Sequence, residues 1–205
     1  MIKKSALFLL GTLLAASCSS TIKEAMYVSS GAYKLDMAHS SVHFKVSHLG
    51  LSFYTARFTD FDADLDFDAK NPTKSKIKTV IKANSVKTDY PFLEIKNFDR
   101  FLSKNENWLN SRKYPNITFE STKIKRTGFK SGAMYGNLTM LGQTHPVKFK
   151  VTFNGAYKNK PHSGKSALGF SAKAVIKRSM WGFDAFVPNI GDDVEIIIET
   201  EFEKI

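Results

Sequence analysis

The chain has 205 residues and carries 30 Lys and Arg against 19 Asp and Glu, a formal net charge of +11. That length suits one domain with a leader or tail, and 42% apolar with 24% charged residues excludes wholesale disorder and a polytopic membrane protein. A single cysteine excludes an internal disulfide, a zinc site built on cysteines and a cysteine-held cluster.

The first segment reads as an export signal. Met1 to Lys4 is a short basic start, Ala6 to Leu14 an apolar run, and Ala15, Ala16 and Ser17 are small residues ahead of Cys18. The run is too short for a permanent transmembrane helix, which needs about 20 apolar residues. Residues 1–17 resemble a bacterial lipoprotein signal, which implies cleavage before Cys18 and lipidation of its thiol and new amine; Ala15 stands where such signals usually carry Leu. Ser19 in place of Asp points, by the same resemblance, to the periplasmic face of the outer membrane, with a soluble periplasmic product as the alternative. Residues 18–32, short of core side chains, read as a tether that spans about 40 Å when extended. The domain is expected over 33–205.

From Tyr33 onward, apolar residues alternate with polar ones in eight segments. Their inward sets begin at Val42, Phe61, Ile77, Ile117, Met134, Val147, Leu168 and Val194. Between the third and fourth, Phe92, Ile95, Phe98, Phe101 or Leu102 and Trp108 or Leu109 recur every three or four residues, which predicts a short helical insert around residues 91–110, ended by Tyr114 and Pro115. Turn residues cluster at Asn71-Pro72, Leu141-Gly142 and 159–164. So many even strands must close on themselves to avoid a long free edge. The fold class is therefore all-β: an extended eight-stranded antiparallel barrel. Phe is abundant (17 residues) and the inward sets mix large with small side chains, so a ligand cavity is favoured over a filled core.

Several motifs suggest chemistry that their context does not support. Asp60, Asp62 and Asp64 have the spacing that opens a calcium loop, but Leu65 occupies the glycine position and Asn71 that of the bidentate Glu; an acidic outer strand face explains them. His39 and His43 would lie about 13 Å apart in an extended strand and His48 has the opposite parity, so no shared metal is assigned. His39 and Ser40 instead suit a hydrogen-bonded turn. Gly164, Lys165 and Ser166 lack the earlier glycine of a phosphate loop, and there is no Gly-x-Ser-x-Gly elbow. Alternating lysines such as Lys148 and Lys150 read as a solvated strand face, and an exported basic chain points to anionic lipid or envelope polymer, not nucleic acid.

The run Tyr33-x-Leu35-Asp36-x-x-His39-Ser40-x-Val42-x-Phe44-x-Val46-x-His48 resembles the opening of the YceI-like polyisoprenoid-binding family. The resemblance continues through Phe58, Tyr114-Pro115-x-Ile117-x-Phe119, Gly136-x-Leu138-Thr139-x-x-Gly142 and Arg178-Ser179-x-Trp181-Gly182-Phe183 to Gly191-Asp192-x-Val194. It implies a lipocalin-like barrel holding a long isoprenoid or acyl chain. Two positions depart from the family pattern: Phe101 stands where a His is usual, and Asn107 replaces an acidic residue before Trp108, so the insert is greasier and the head group of the ligand can differ.

The expected function is non-catalytic binding, transport or sequestration of a long-chain amphiphile: a polyisoprenoid, a polyprenyl quinone or a fatty-acid derivative, carried as cargo and not as a cofactor. The expected walls are Phe44, Phe58, Phe119, Leu138, Phe149, Phe170 and Trp181. No catalytic or metal-binding residue is assigned. Homodimerisation and delivery to a membrane redox partner are left open. The rival readings are a small exported hydrolase of lipid or envelope esters and a scaffold lipoprotein with a filled barrel.

Overall fold

The computed structural model describes residues 28–205 other than Leu93; the signal segment and Cys18 lie outside the described residues. All eight alternating segments form strands. In chain order they are β1 (Gly31–His48), β3 (Phe61–Phe67), β4 (Lys76–Lys82), β6 (Asn116–Arg126), β7 (Ser131–Met140), β8 (Gln143–Tyr157), β9 (Ala167–Lys177) and β10 (Ile190–Lys204). Two strands escape the period-two reading, β2 (Ser52–Phe58) and the two-residue β5 (Val86–Lys87). One α-helix, α1 (Phe98–Lys104), lies within the predicted insert.

Antiparallel pairing runs β1–β3–β4–β6–β7–β8–β9–β10 and returns to β1, which closes an eight-stranded barrel. The closing seam is uneven. Strand β1 pairs with β10 along its length, yet its other edge pairs with β3 at Gly31–Lys34 and with β2 at Val42–His48. The change of partner coincides with a bulge in which Asp36↔Glu201 is followed by Ser41↔Glu199, so residues 37–40 leave the ladder. Asp36 holds this bulge: its carboxylate accepts from the Ala38 N–H and meets His39 Nδ1 at 2.7 Å, and the Ser40 hydroxyl donates to the Asp36 carbonyl. The hydrogen-bonded turn expected at His39 and Ser40 is therefore present.

A cation fastens the bulge. Lys160, from the loop after β8, reaches Asp36 at 2.5 Å, Glu201 at 2.7 Å and Glu203 at 3.2 Å. Burial alone would raise the Asp36 pKa, but the Lys160 ammonium and the His39 hydrogen bond outweigh it and bring the carboxyl to about 2. The three carboxylates raise the Lys160 pKa in turn. Asp36, His39 and Glu201 offer ligand atoms within 4.8 Å of one another, but the Lys160 ammonium already takes the cation's place among them.

Inward faces follow the alternation. Phe61, Ala63, Leu65 and Phe67 of β3 are buried, while Asp62, Asp64 and Asp66 face water, and Asp62 and Asp64 pair with Lys34. Gly136 is required by close approach, since a Cβ there would stand 2.3 Å from Phe119 and 2.4 Å from the Glu120 carbonyl. Leu141 and Gly142 both have positive φ, the two-residue hairpin geometry that matches strand twist. The expected tether ends too late: Val28 is buried and Gly31 and Ala32 already pair in β1, so residues 28–32 belong to the barrel.

Two outcomes test this account. The Asp36 carboxyl has a folded-state pKa of about 2, below its unfolded value of about 3.9, so its stabilisation, about 2.5 kcal/mol, is complete above about pH 5 and lost progressively as pH falls from about 5 to about 1. Asp36→Asn should flatten that part of the stability–pH profile in chemical denaturation. Gly136→Ala should cost about 1–3 kcal/mol in the same assay, since a backbone carbonyl cannot move aside.

Candidate functional site

The barrel interior is a continuous cavity of about 1090 Å³, at the top of the range of about 300–1,000 Å³ usual for small-molecule sites. Every strand of the ring lends it inward side chains, among them Val42, Leu65, Ile77, Met134, Val151, Ala172 and Ile196. Water takes about 30 Å³ per molecule and a methylene group is of similar size, so the space suits roughly 30–40 chain atoms.

Six of the seven wall residues expected from the sequence border this cavity: Phe44, Phe58, Phe119, Leu138, Phe149 and Phe170. The five phenylalanines sit in three groups. Phe44 packs on Phe58 with ring centroids 5.6 Å apart, Phe119 meets Phe149 edge-on at 5.2 Å, and Phe170 lies between Phe153 at 5.4 Å and Phe202 at 6.3 Å. Trp181 must be corrected. It is buried in the short 3₁₀ turn Arg178–Trp181 and does not border the cavity. A buried indole N–H needs an acceptor, and Trp181 finds one in the Leu138 carbonyl at 3.1 Å, with His145 edge-on at 5.0 Å.

The insert supplies what the sequence reading left unassigned. Asn97 caps α1 by accepting from the Arg100 N–H, and Asp99 accepts from both the N–H and the hydroxyl of Thr88, which ties the helix to the end of β5. Those hydrogen bonds lower the Asp99 pKa against the upward push of burial. Leu102 and Leu109 are buried and border the cavity together with the aromatic rings of the insert. Phe98 stacks on Phe101 at 5.9 Å, Phe101 meets Trp108 at 6.4 Å, and Trp108 contacts Phe183 at 5.4 Å and Phe186 at 6.2 Å. Tyr54 and Tyr90 complete the cluster against Phe98. The Lys96 ammonium lies 3.5 Å from the Phe101 ring centre. Phe101, the residue in the unusual position, is thus a cavity wall, as is Trp108.

Arg178 borders the same end and is almost fully buried. Its guanidinium donates to the carbonyls of Gly191, Phe183, Ala185 and Ile190 and lies against the rings of Trp108 and Phe183. Burial pushes its pKa down, countered by Asp192 and Asp184. With four carbonyls engaged, the side chain fastens the β9–β10 loop.

At the opposite end the cavity reaches the loops 68–75 and 127–130, bordered by Pro72, Thr73, Arg126, Phe129 and Lys130. His39 and Ser40 do not border it, and the Ser40 hydroxyl donates to the Asp36 carbonyl. Among the described residues no helix is long and apolar enough to cross a membrane.

Comparison with known proteins agrees with this architecture. Residues 33–202 match the YceI-like domain. A UPF0312 protein of Pseudomonas paraeruginosa is 35% identical over 192 residues, 93% of this chain and 96% of the relative, and one of Yersinia pestis is 34% identical over a similar span. The crystal structure of a Campylobacter jejuni YceI protein superposes with a TM-score of 0.66 at 30% identity, covering 84% of this chain and 98% of that one. A polyisoprenoid binding domain from Saccharophagus degradans shares the fold at 14% identity, with a TM-score of 0.60 and cover of 84% and 98%. A closed eight-stranded barrel around an apolar cavity, matched over nearly its whole length, makes this chain a member of the YceI-like family.

Proposed function

We propose that the protein binds a long-chain amphiphile in the barrel lumen and carries or sequesters it without chemical change. The observation that carries this reading is the cavity itself: about 1090 Å³ walled by Phe, Ile, Val, Leu and Met side chains along the whole barrel. Each methylene moved from water into such a lumen gains about 0.8 kcal/mol, so a chain of ten or more carbons binds tightly without a catalytic group. The interior is too open for a filled scaffold. The fold shared with a polyisoprenoid binding domain supports a polyisoprenoid, a polyprenyl quinone or a fatty-acid derivative as cargo. The aromatic end around Phe101, Trp108 and Phe183 suits the branched or ring-bearing part of such a molecule by offering flat contact surfaces.

In this reading Cys18 is the lipidated first residue of the mature chain, holding the barrel at the periplasmic face of the outer membrane. One acyl chain gives marginal attachment and several make it stable. Homodimerisation and delivery of quinone to a redox partner are further possibilities of the same class.

Solvent extraction of the purified protein followed by mass spectrometry should yield stoichiometric lipid; an empty protein that also takes up no added quinone or fatty acid removes the reading. Ala172 borders the cavity on β9, and Ala172→Trp should block it. The lost lumen volume should weaken binding by roughly tenfold or more, about 1.4 kcal/mol or above, read by titration with a fluorescent fatty acid. Cys18→Ser should release the protein from the membrane fraction on cell fractionation; a variant that stays membrane-bound and is processed like the parent shows the anchor assignment to be wrong.

A further inference from the structure

The basic residues are unevenly used. At the barrel end where β1 begins, three loops each present two cations: Lys70 and Lys74 between β3 and β4, Arg126 and the half-buried Lys130 at the β6–β7 hairpin, and Lys158 and Lys165 between β8 and β9, the other five all exposed. None of the six is in an ion pair among the described residues. The three loops themselves carry a single carboxylate, Asp68. It accepts from the Lys70 and Asn71 N–H groups, while Asp36, Glu201 and Glu203 converge on Lys160 at the seam. This end therefore presents an outward positive field.

We propose that this end of the barrel is a docking surface for an anionic lipid bilayer. Three further features favour a bilayer over a soluble acidic partner. Phe129, at the tip of the β6–β7 hairpin, is 68% exposed, with the Arg126 guanidinium 5.8 Å from its ring centre; an apolar ring beside a cation suits the boundary between headgroups and acyl chains. The cavity reaches the same hairpin, where Arg126, Phe129 and Lys130 border it. The first described residues also lie here: the Ala69 N–H donates to Ser30, and Lys204 is held by Ser29 and Ser30. The other end carries exposed apolar residues such as Leu51 and Ile95, but its cations, among them Arg100, Lys104, Arg112 and Lys113, are interleaved with Asp89, Glu94, Asp99, Glu106 and Asp184, whereas the three loops at the β1 end hold Asp68 alone.

The inference concerns the surface and needs no cargo in the lumen, so vesicle binding is measured on both delipidated and loaded protein. Cys18→Ser protein, which lacks the anchor, is mixed with phosphatidylcholine vesicles with and without a quarter of phosphatidylglycerol and sedimented at low and high salt. Binding should require phosphatidylglycerol and weaken with salt. The variant Lys70→Gln, Lys74→Gln, Lys158→Gln, Lys165→Gln removes cations that make no side-chain hydrogen bond in the fold. It should bind several-hundredfold more weakly, at about fivefold per basic residue removed. Phe129→Ser should weaken binding independently. A charge-matched variant at the other end, Arg100→Gln, Lys104→Gln, Arg112→Gln, Lys113→Gln, should bind as the parent does. Equal loss in the two charge variants, binding that ignores phosphatidylglycerol, or a self-association that the first variant abolishes would each overturn the proposal. Loss of lipid in the extraction experiment with vesicle binding intact would instead remove only the cargo reading.

Discussion

Strand β1 has one free edge and two claimants for it. Along its whole length it hydrogen-bonds β10, so its second edge must serve β3 near the start and β2 near the end, and residues 37–40 are the slack that lets it turn from one to the other. A bulge of that size exposes backbone groups and concentrates acidic side chains from β1 and β10. Lys160 answers the second need by joining Asp36, Glu201 and Glu203 across the seam. The side chain is mostly buried and the pairs are short, a setting in which removing one partner strands the others at real cost, unlike an exposed pair. The β1–β10 ladder closes the barrel, and this contact between residues 124 positions apart fastens its irregular part.

Closure in turn fixes what the interior can be. The hydrogen-bond ladder sets the radius of an eight-stranded barrel, and side chains cannot draw the walls together without breaking it. Small inward residues such as Ala172 and Gly136 therefore leave space that neighbours do not reclaim. At Gly136 the space is taken by Phe119, whose ring needs the missing Cβ; at Ala172 it remains part of the cavity. The apolar walls of a void of this size lack partner atoms for dispersion contact. An apolar chain restores those contacts, so the lumen is matched to a guest that water cannot imitate.

The eight ring strands were legible because each keeps strict alternation and one face is buried on all of them. Strand β2 was not. Tyr54, Ala56 and Phe58 alternate correctly, but Phe53 on the outer face, two-thirds exposed, fills the polar slot that would have shown the pattern. Wall residues inside long strands could be read by parity alone, whereas Trp181 lies in a turn where parity means nothing and where its N–H decides its place. The three-to-four spacing of Phe98, Phe101 and Trp108 revealed a helical insert without saying which face meets the lumen. That depends on Asp99 and Thr88, a contact that fixes the insert on the barrel and has no periodic trace. The boundary of the domain was read late because Ser29, Ser30 and Gly31 resemble a linker in composition, although they hold Lys204 and Ala69 in the fold.

Net charge was the least informative number in the sequence, because a count cannot distinguish cations that are engaged from those that are not. Arg178 and Lys160 are both nearly buried and both fully committed, one to four carbonyls and the other to three carboxylates. Lys34 and Lys78 are matched to the acidic face of β3 and to Glu120. What is left over is set by topology: three loops that meet at one end of a closed barrel bring together lysines separated by up to about ninety positions in the chain. Alternating lysines on a strand do read as a solvated face, and most here are that. Those in the loops differ because a single carboxylate, Asp68, lies among them, so that end keeps an excess of positive charge.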